Sequence, residues 1–261
     1  MTVYHRNLTS LVGYCYEGSN MALIYEFMEN GDLRDYLSGK KADALSWKTR
    51  LQIAIDAAQG LEYMHNGCVP PIIHRDVKPE NILLTKNFRA KLGDFGLSRF
   101  FSNDGVSHVL VSCCAGTIGY LAPEAVDTDC LDQKSDVYSF GVVLLQIVTG
   151  QPTSNGNKHL KDWVRSIYTN GYGDVTSIID QRLQGDFDIN TIKDAVDIAI
   201  QCVSETLTDR PDMSKVVATL KNCLAAELAP RNYNSVSEST NSSKVFYENS
   251  TTEVIPLAKQ S

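Results

Sequence analysis

Near the start of the chain, Leu11 to Tyr16 and Ala22 to Phe27 are short runs rich in β-branched and aromatic residues, parted by Glu17-Gly18-Ser19-Asn20. Gly and Asn accept the backbone angles of a tight reversal, so the two runs predict a β-hairpin. A polar turn at Glu29-Asn30-Gly31 leads into a short helical piece near Asp32 to Leu37 and then a loop of Gly, Lys and Asp residues. Ser46 is placed to cap a helix in which Leu51, Ala54, Ile55, Ala58 and Leu61 recur at three and four, the period of one buried helical face. That helix is expected to end near Gly67, ahead of Pro70-Pro71.

The pattern then shortens. Ile72-Ile73 and Ile82 to Leu84 read as two short strands around a polar loop, and Ala90 to Leu92 as a third. From there to Ala115 the chain is rich in Ser, Gly and Cys without a clear period, which predicts a mobile loop. Asp136 to Thr149 is apolar on nearly every side and stops at Gly150, so it belongs in the middle of a domain. Three further helices are expected over Leu160 to Tyr168, Ile192 to Val203 and Met213 to Leu228. From residue 229 onward Ser, Thr and Asn come to dominate and no amphipathic period holds, which predicts a disordered tail over 229–261.

Composition narrows the classes. With 43% hydrophobic residues in 261, the chain has material for a sizeable core. Its longest apolar run, Val137 to Val148, is broken by Tyr138, Ser139 and Gln146 and falls short of the roughly 20 residues a bilayer crossing needs. His5, Arg6 and Asn7 follow Met1 too closely for a secretory leader. The net charge of −7, with no Lys/Arg run, disfavours a nucleic-acid partner. Seven cysteines without C-x-x-C spacing argue for reduced thiols and a cytoplasmic setting, so the sequons at Asn7, Asn241 and Asn249 read as chance matches.

The candidate chemistry lies between the short strands, in His74-Arg75-Asp76-Val77-Lys78-Pro79-Glu80-Asn81. A carboxylate, a cation two residues on and an amide oxygen five residues on are what phosphoryl transfer uses to orient a hydroxyl, steady a phosphate and hold Mg²⁺. Taken alone, Asp76 reads more readily as a loop or turn aspartate than as a base, and Asp94 can be read as a turn residue before Gly96. Spacing decides between these readings. Asp94-Phe95-Gly96 begins thirteen residues after Asn81, and Ala122-Pro123-Glu124 begins 28 residues after Asp94.

In that order and at those gaps the chain resembles the eukaryotic protein kinase family over roughly residues 3 to 228, on the serine/threonine branch because of Lys78. His5-Arg6-Asn7-Leu8, Leu11-Val12-Gly13-Tyr14, Gly116-Thr117, Gly119-Tyr120 and Asp136 to Gly141 are similar to plant receptor-like kinases of the leucine-rich-repeat type. The resemblance implies an α+β fold, with residues 1–28 as small-lobe and hinge residues and 29–228 as a mostly helical large lobe. It implies ATP and Mg²⁺ as cofactors and a protein substrate. Asp76 would accept the hydroxyl proton, Lys78 would neutralise the γ-phosphate, and Asn81 with Asp94 would hold Mg²⁺. Glu26 and Met28 match the hinge backbone that meets adenine, and Leu83 the apolar floor beneath the ring. Asp136 resembles the carboxylate that fixes the catalytic loop, and Glu124 with Arg210 an ion pair that staples the lobe. Arg75 implies a phosphate on the loop that follows, with Ser102, Ser107 and Ser112 as acceptors, and Thr117 matches the threonine facing substrate.

A glycine-rich lid and a strand lysine are not found upstream of Asp76, where the only lysines are Lys40, Lys41 and Lys48. The chain therefore reads as a kinase starting after its first three strands, with an incomplete small-lobe hairpin and little phosphoryl transfer as written. The alternative is a catalytically dead module that binds an intact partner kinase, and a third reading is a decayed product without a stable fold. Cys113-Cys114 reads as small loop residues or as a redox pair. Ile118 stands where the relatives usually have Pro, which bears on substrate preference.

Overall fold

The computed structural model describes residues 3–18, 20–101, 109–110, 115–127, 130–156, 158–168 and 174–230. The tail over 231–261, and Ser102, Ser107, Ser112, Cys113 and Cys114, lie outside the described residues.

The predicted hairpin forms from β1 (Leu11–Glu17) and β2 (Asn20–Tyr25), antiparallel, with Glu17 opposite Asn20 and a bulge between Leu11 and Gly13. The second strand stops one residue before Glu26, so Glu26-Phe27-Met28 is a connecting segment rather than strand. Leu11, Val12, Tyr14, Tyr16, Met21, Leu23 and Ile24 are all exposed on this hairpin, which buries neither face well among the described residues. A two-stranded ribbon of this kind is marginal by itself. It is tied to the rest through residues 7–9: the Thr9 N–H donates to the Leu92 carbonyl (2.9 Å) and the Leu92 N–H to that of Asn7 (2.8 Å).

Next come α1 (Leu33–Leu37), capped by Asp32, and α2 (Trp47–Glu62), capped by Ser46, which accepts from the Thr49 N–H at 3.3 Å. The last turn of α2 widens into a π-helical turn over Tyr63–Gly67, which accounts for the expected stop at Gly67. The short strands β3 (Ile72–Ile73) and β4 (Ile82–Leu84) flank the polar loop as the sequence predicts, but they do not pair with each other. β4 pairs with β5 (Ala90–Leu92), and β3 with β6 (Arg99–Phe100). Arg99-Phe100 is too short to show a period and, unlike Ile72-Ile73, is not an apolar run, so nothing in the sequence marks β6. β7 (Val109–Leu110) pairs with β8 (Cys130–Leu131), and β9 (Ser154–Asn155) with β10 (Lys158–His159).

Helices α3 (Pro123–Asp127), α4 (Gln133–Thr149), α5 (Leu160–Tyr168), α6 (Ile189–Cys202) and α7 (Met213–Leu228) complete the chain. α4 is the central one. From Ser135 to Thr149 every residue is buried, as its all-round apolarity requires, and α6 packs along it while α7 packs on both α2 and α6. It begins three residues earlier than the apolar run suggests, because Asp132 and Ser135 form a capping box ahead of it. Gly141 marks the closest approach to α6, since a Cβ there would lie 2.5 Å from the Cβ of Cys202. The core carries one strongly polar joint: Arg50 donates to the carboxylate of Asp180 (2.7 Å) and to the carbonyls of Ile147 (2.8 Å) and Leu45 (3.0 Å). Every guanidinium nitrogen of Arg50 therefore has a partner, which is the condition for burying such a charge.

Candidate active site

The polar loop after β3 owes its shape to the first turn of α4. Asp136, 1% exposed, accepts from the His74 N–H (2.7 Å), the Arg75 N–H (2.8 Å) and His65 Nε2 (2.9 Å). Arg75 sits at φ 73°, in the left-handed region that a side chain disfavours. Such a backbone costs about 1–3 kcal/mol and persists only where its surroundings hold it. Here the two amide bonds to Asp136 do so. Arg75 also donates through Nη1 to the Leu97 carbonyl at 3.3 Å.

His74 is fully buried, with Nε2–H donating to the Gly93 carbonyl (3.1 Å) and Nδ1 accepting from the Asp76 N–H (3.2 Å). Burial pulls its pKa below the ordinary histidine value, against the opposing pull of Asp136, so the ring is neutral and its tautomer is set by these two bonds. Its ring meets that of Phe95 edge-to-face, 5.7 Å between centroids. One imidazole thus joins the loop of Asp76 to the segment of Asp94.

The carboxylate of Asp76 is 7% exposed and held on both oxygens. Oδ2 accepts from Lys78 Nζ (2.6 Å) and Asn81 Nδ2 (3.1 Å), and Oδ1 from Thr117 Oγ1 (2.6 Å), which itself accepts from Lys78 Nζ at 2.8 Å. Burial pushes this carboxyl up, but Lys78 and Thr117 more than reverse the effect, so its pKa lies below the ordinary carboxylate value and it is ionised at neutral pH. Asn81 Nδ2 also donates to the Asp76 carbonyl (2.8 Å), which commits the amide nitrogen inward and leaves its oxygen to face the other way.

The β4–β5 hairpin brings Asn81 to Asp94. Ile82 pairs with Leu92, and one residue beyond each the Gly93 N–H donates to the Asn81 carbonyl at 2.9 Å. Asp94 follows at φ 60° and ψ 75°, exposed, with its side chain accepting from the Gly96 N–H at 3.3 Å. Two oxygen-bearing side chains at one end of a hairpin, one amide and one carboxylate, suit a hard cation such as Mg²⁺, which takes one or two carboxylates and leaves the remaining positions to phosphate and water. Among the described residues there is no cluster of three or more His, Cys, Asp or Glu that would suit a softer metal.

The other site residues lie along the same hairpin. Leu83 is half-buried between the fully buried Ile82 and Leu84, and Met28 is buried. Glu26 is placed by its side chain. Its carboxylate accepts from Lys91 Nζ (2.7 and 2.9 Å) and from the Ser10 N–H (2.7 Å). Burial pushes its carboxyl up, and Lys91 and Ser10 more than offset that, leaving it below the ordinary range. Asp76, Lys78, Asn81 and Thr117 are therefore joined directly, Asp94 through Gly93, and Glu26 and Leu83 through β5. Sequence reading did not single out Lys91 or His65. Strand alternation places Lys91 on the face of Leu83, but nothing in the sequence pairs it with Glu26.

Away from the loop, Glu124 receives both Nη1 (2.6 Å) and Nη2 (2.8 Å) of Arg210, which is 1% exposed and also covers the ring of Tyr138 at 4.9 Å. Asp76, Glu124 and Asp180 share one titration logic. In each, burial raises the carboxyl, and bonds from Lys78, from Arg210 and from Arg182 with Arg50, respectively, bring it below its ordinary value. A carboxyl depressed in the folded state contributes stability that is fully present above the unfolded value of about 4 and is lost as pH falls through the folded value. The midpoint of urea unfolding is accordingly expected to fall as pH drops below about 4, as read by far-UV circular dichroism at each pH.

Comparison with known proteins gives the same outline. Residues 1–220 match the family model described as protein tyrosine and serine/threonine kinase. A probable LRR receptor-like protein kinase of Arabidopsis thaliana is 52% identical over 99% of this chain and 30% of its own length. An LRR receptor-like serine/threonine-protein kinase of the same plant is 50% identical over 99% of the chain and 29% of its own length. A third, a receptor-like protein kinase, is 51% identical over 88% of the chain and 26% of its own length. The chain thus spans less than a third of the curated relatives it matches.

Proposed function

The chain belongs to the protein tyrosine and serine/threonine kinase family, and from that premise we propose that it supplies the phosphoryl-transfer half of a serine/threonine kinase site. Residues 29–228 serve as its large lobe, 1–28 as small-lobe and hinge residues, and 229–261 as a tail. The observation that carries this reading is the carboxylate of Asp76 held by Lys78, Thr117 and Asn81, with Asn81 bonded to the residue before Asp94.

In this reading Asn81 and Asp94 would hold Mg²⁺, and the backbone of Glu26 and Met28 with the side chain of Leu83 would bind adenine. Bound Mg²⁺–ATP supplies the transferable phosphoryl group and neutralises the charge that develops on it. Asp76 would orient the serine or threonine hydroxyl and accept its proton as that oxygen bonds to the γ-phosphorus and the bond from phosphorus to the ADP oxygen breaks. Lys78, already against both Asp76 and Thr117, sits where it can shift toward the phosphate. Thr117 keeps the second carboxylate oxygen in place. Beside Thr117, a mainly apolar cleft of about 610 Å³ is lined by Ile118, Leu121, Pro123, Tyr138 and Val142, and it offers a bed for the substrate chain. In a receptor-like parent this site would work on the cytoplasmic side of a membrane. None of the described helices is long and apolar enough to cross one.

Retention of Asp76, Lys78, Asn81 and Asp94 together favours catalysis over a module that only binds a partner kinase. Upstream of Asp76 the 261 residues hold no glycine-rich lid and no lysine on a strand, and a single lost electrostatic contact at a transferring group costs about 10²–10³ in rate. The test is transfer of labelled γ-phosphate by the chain joined to the glycine-rich lobe of a receptor-like relative. Label on serine and threonine of a mixed peptide substrate supports the reading. Label confined to tyrosine, or none, overturns it.

A further inference from the structure

We propose that Lys91 is a positioning residue for base recognition, fixing the segment Glu26-Phe27-Met28 against the strand that leads to Asp94. This rests on the reading of that segment as the adenine edge. Along β5, Ala90 and Leu92 turn into the core, so the alternation of a strand sends Lys91 to the opposite face. Its cross-strand partner is Leu83, which is likewise flanked by two buried neighbours, so both side chains share the face proposed to lie under the nucleotide.

From that face the ammonium reaches back to both carboxylate oxygens of Glu26, at 2.7 and 2.9 Å. Glu26 is also joined to Ser10 twice, accepting from its N–H through the side chain (2.7 Å) and donating its own N–H to the Ser10 carbonyl (3.1 Å). Downstream, Asn30 anchors the same segment to the far end of the hairpin, through its N–H to the Leu84 carbonyl (3.1 Å) and Nδ2 to that of Thr85 (2.9 Å). Met28 lies between these two anchors. With Lys91 in place the segment is pinned at both ends to one rigid hairpin. Without it the upstream end is held to that hairpin only indirectly, through Ser10 and the bond of the neighbouring Thr9 to Leu92. The side chains of Lys91 and Glu26 are 18% and 29% exposed, so water screens the pair less than it would an ion pair on the open surface.

A salt bridge that only stabilises the fold would shift the melting temperature and nothing else, so the test reads base discrimination. The whole chain, as parent, Lys91→Met and Lys91→Arg, is titrated with Mg²⁺–ATP and Mg²⁺–GTP by equilibrium dialysis, well below the melting temperature of each variant. Lys91→Met keeps the stem and removes the charge, and it is expected to weaken ATP binding about fivefold to tenfold with GTP changed by less than about twofold, the scale of one misaligned hydrogen bond. Lys91→Arg, which can still reach Glu26, is expected to retain the preference for ATP. Unchanged ATP affinity and an unchanged ATP-to-GTP ratio in Lys91→Met overturn this inference alone. A parent chain that binds neither nucleotide, or both alike, overturns the adenine-edge reading and this inference with it.

Discussion

Asp76→Asn is expected to lower phosphate transfer about 10²–10⁴-fold in the chain joined to a relative's glycine-rich lobe, the range over which a positioned general base contributes. The change is close to isosteric, and the amide oxygen can still accept from Lys78 or Thr117. What it cannot do is take the proton of the attacking hydroxyl. Its nitrogen must also face one of the three donors now bonded to the carboxylate, Lys78 Nζ, Asn81 Nδ2 or Thr117 Oγ1. Of these, the threonine hydroxyl can rotate to accept instead, so the fold should survive. The expected signature is a collapse of kcat with nucleotide affinity little changed, measured by steady-state transfer to a threonine peptide. A variant within about threefold of the parent would remove Asp76 from the role of base.

The second large effect falls on stability. Asp136→Ala leaves two buried loop amides and His65 Nε2 without their acceptor. Each unsatisfied buried donor costs about 1–3 kcal/mol, so a total of about 3–9 kcal/mol is expected for the three. The left-handed backbone of Arg75 would lose what holds it, and the loop of Asp76 should loosen before the helices do. Urea denaturation measures the loss as a lower midpoint. Asp136→Asn keeps one acceptor oxygen and should lose about half as much, which keeps the test informative where the alanine variant does not fold. A midpoint for Asp136→Ala matching the parent would contradict the account of how this loop is held.

Much of this was legible in the chain because it depends on local signals. The extents of α5 and α7 follow from their apolar stripes, and Ser46 announces α2 as a cap. α6 starts three residues before the stripe that begins at Ile192, because Asp188 caps it ahead of that stripe. α4 likewise starts ahead of its apolar run, since Gln133, Lys134 and Ser135 are polar although helical. Asp76, Asn81 and Asp94 could be singled out because motif spacing is a property of sequence. The bonds that make them a site could not. Thr117 meets Asp76 across 41 residues, and Lys91 meets Glu26 across 65. Contacts of that span leave no period, and only the folded chain shows them.

The central claim is that Asn81 and Asp94 form a metal–nucleotide site beside Asp76, and it can be tested without turnover. Mn²⁺ in place of Mg²⁺ reports its own binding through water-proton relaxation, read on the 261-residue chain with and without ATP. A saturable enhancement that requires ATP and is lost in Asp94→Ala is expected. An enhancement that is the same in Asp94→Ala as in the parent, or none in either, would contradict it.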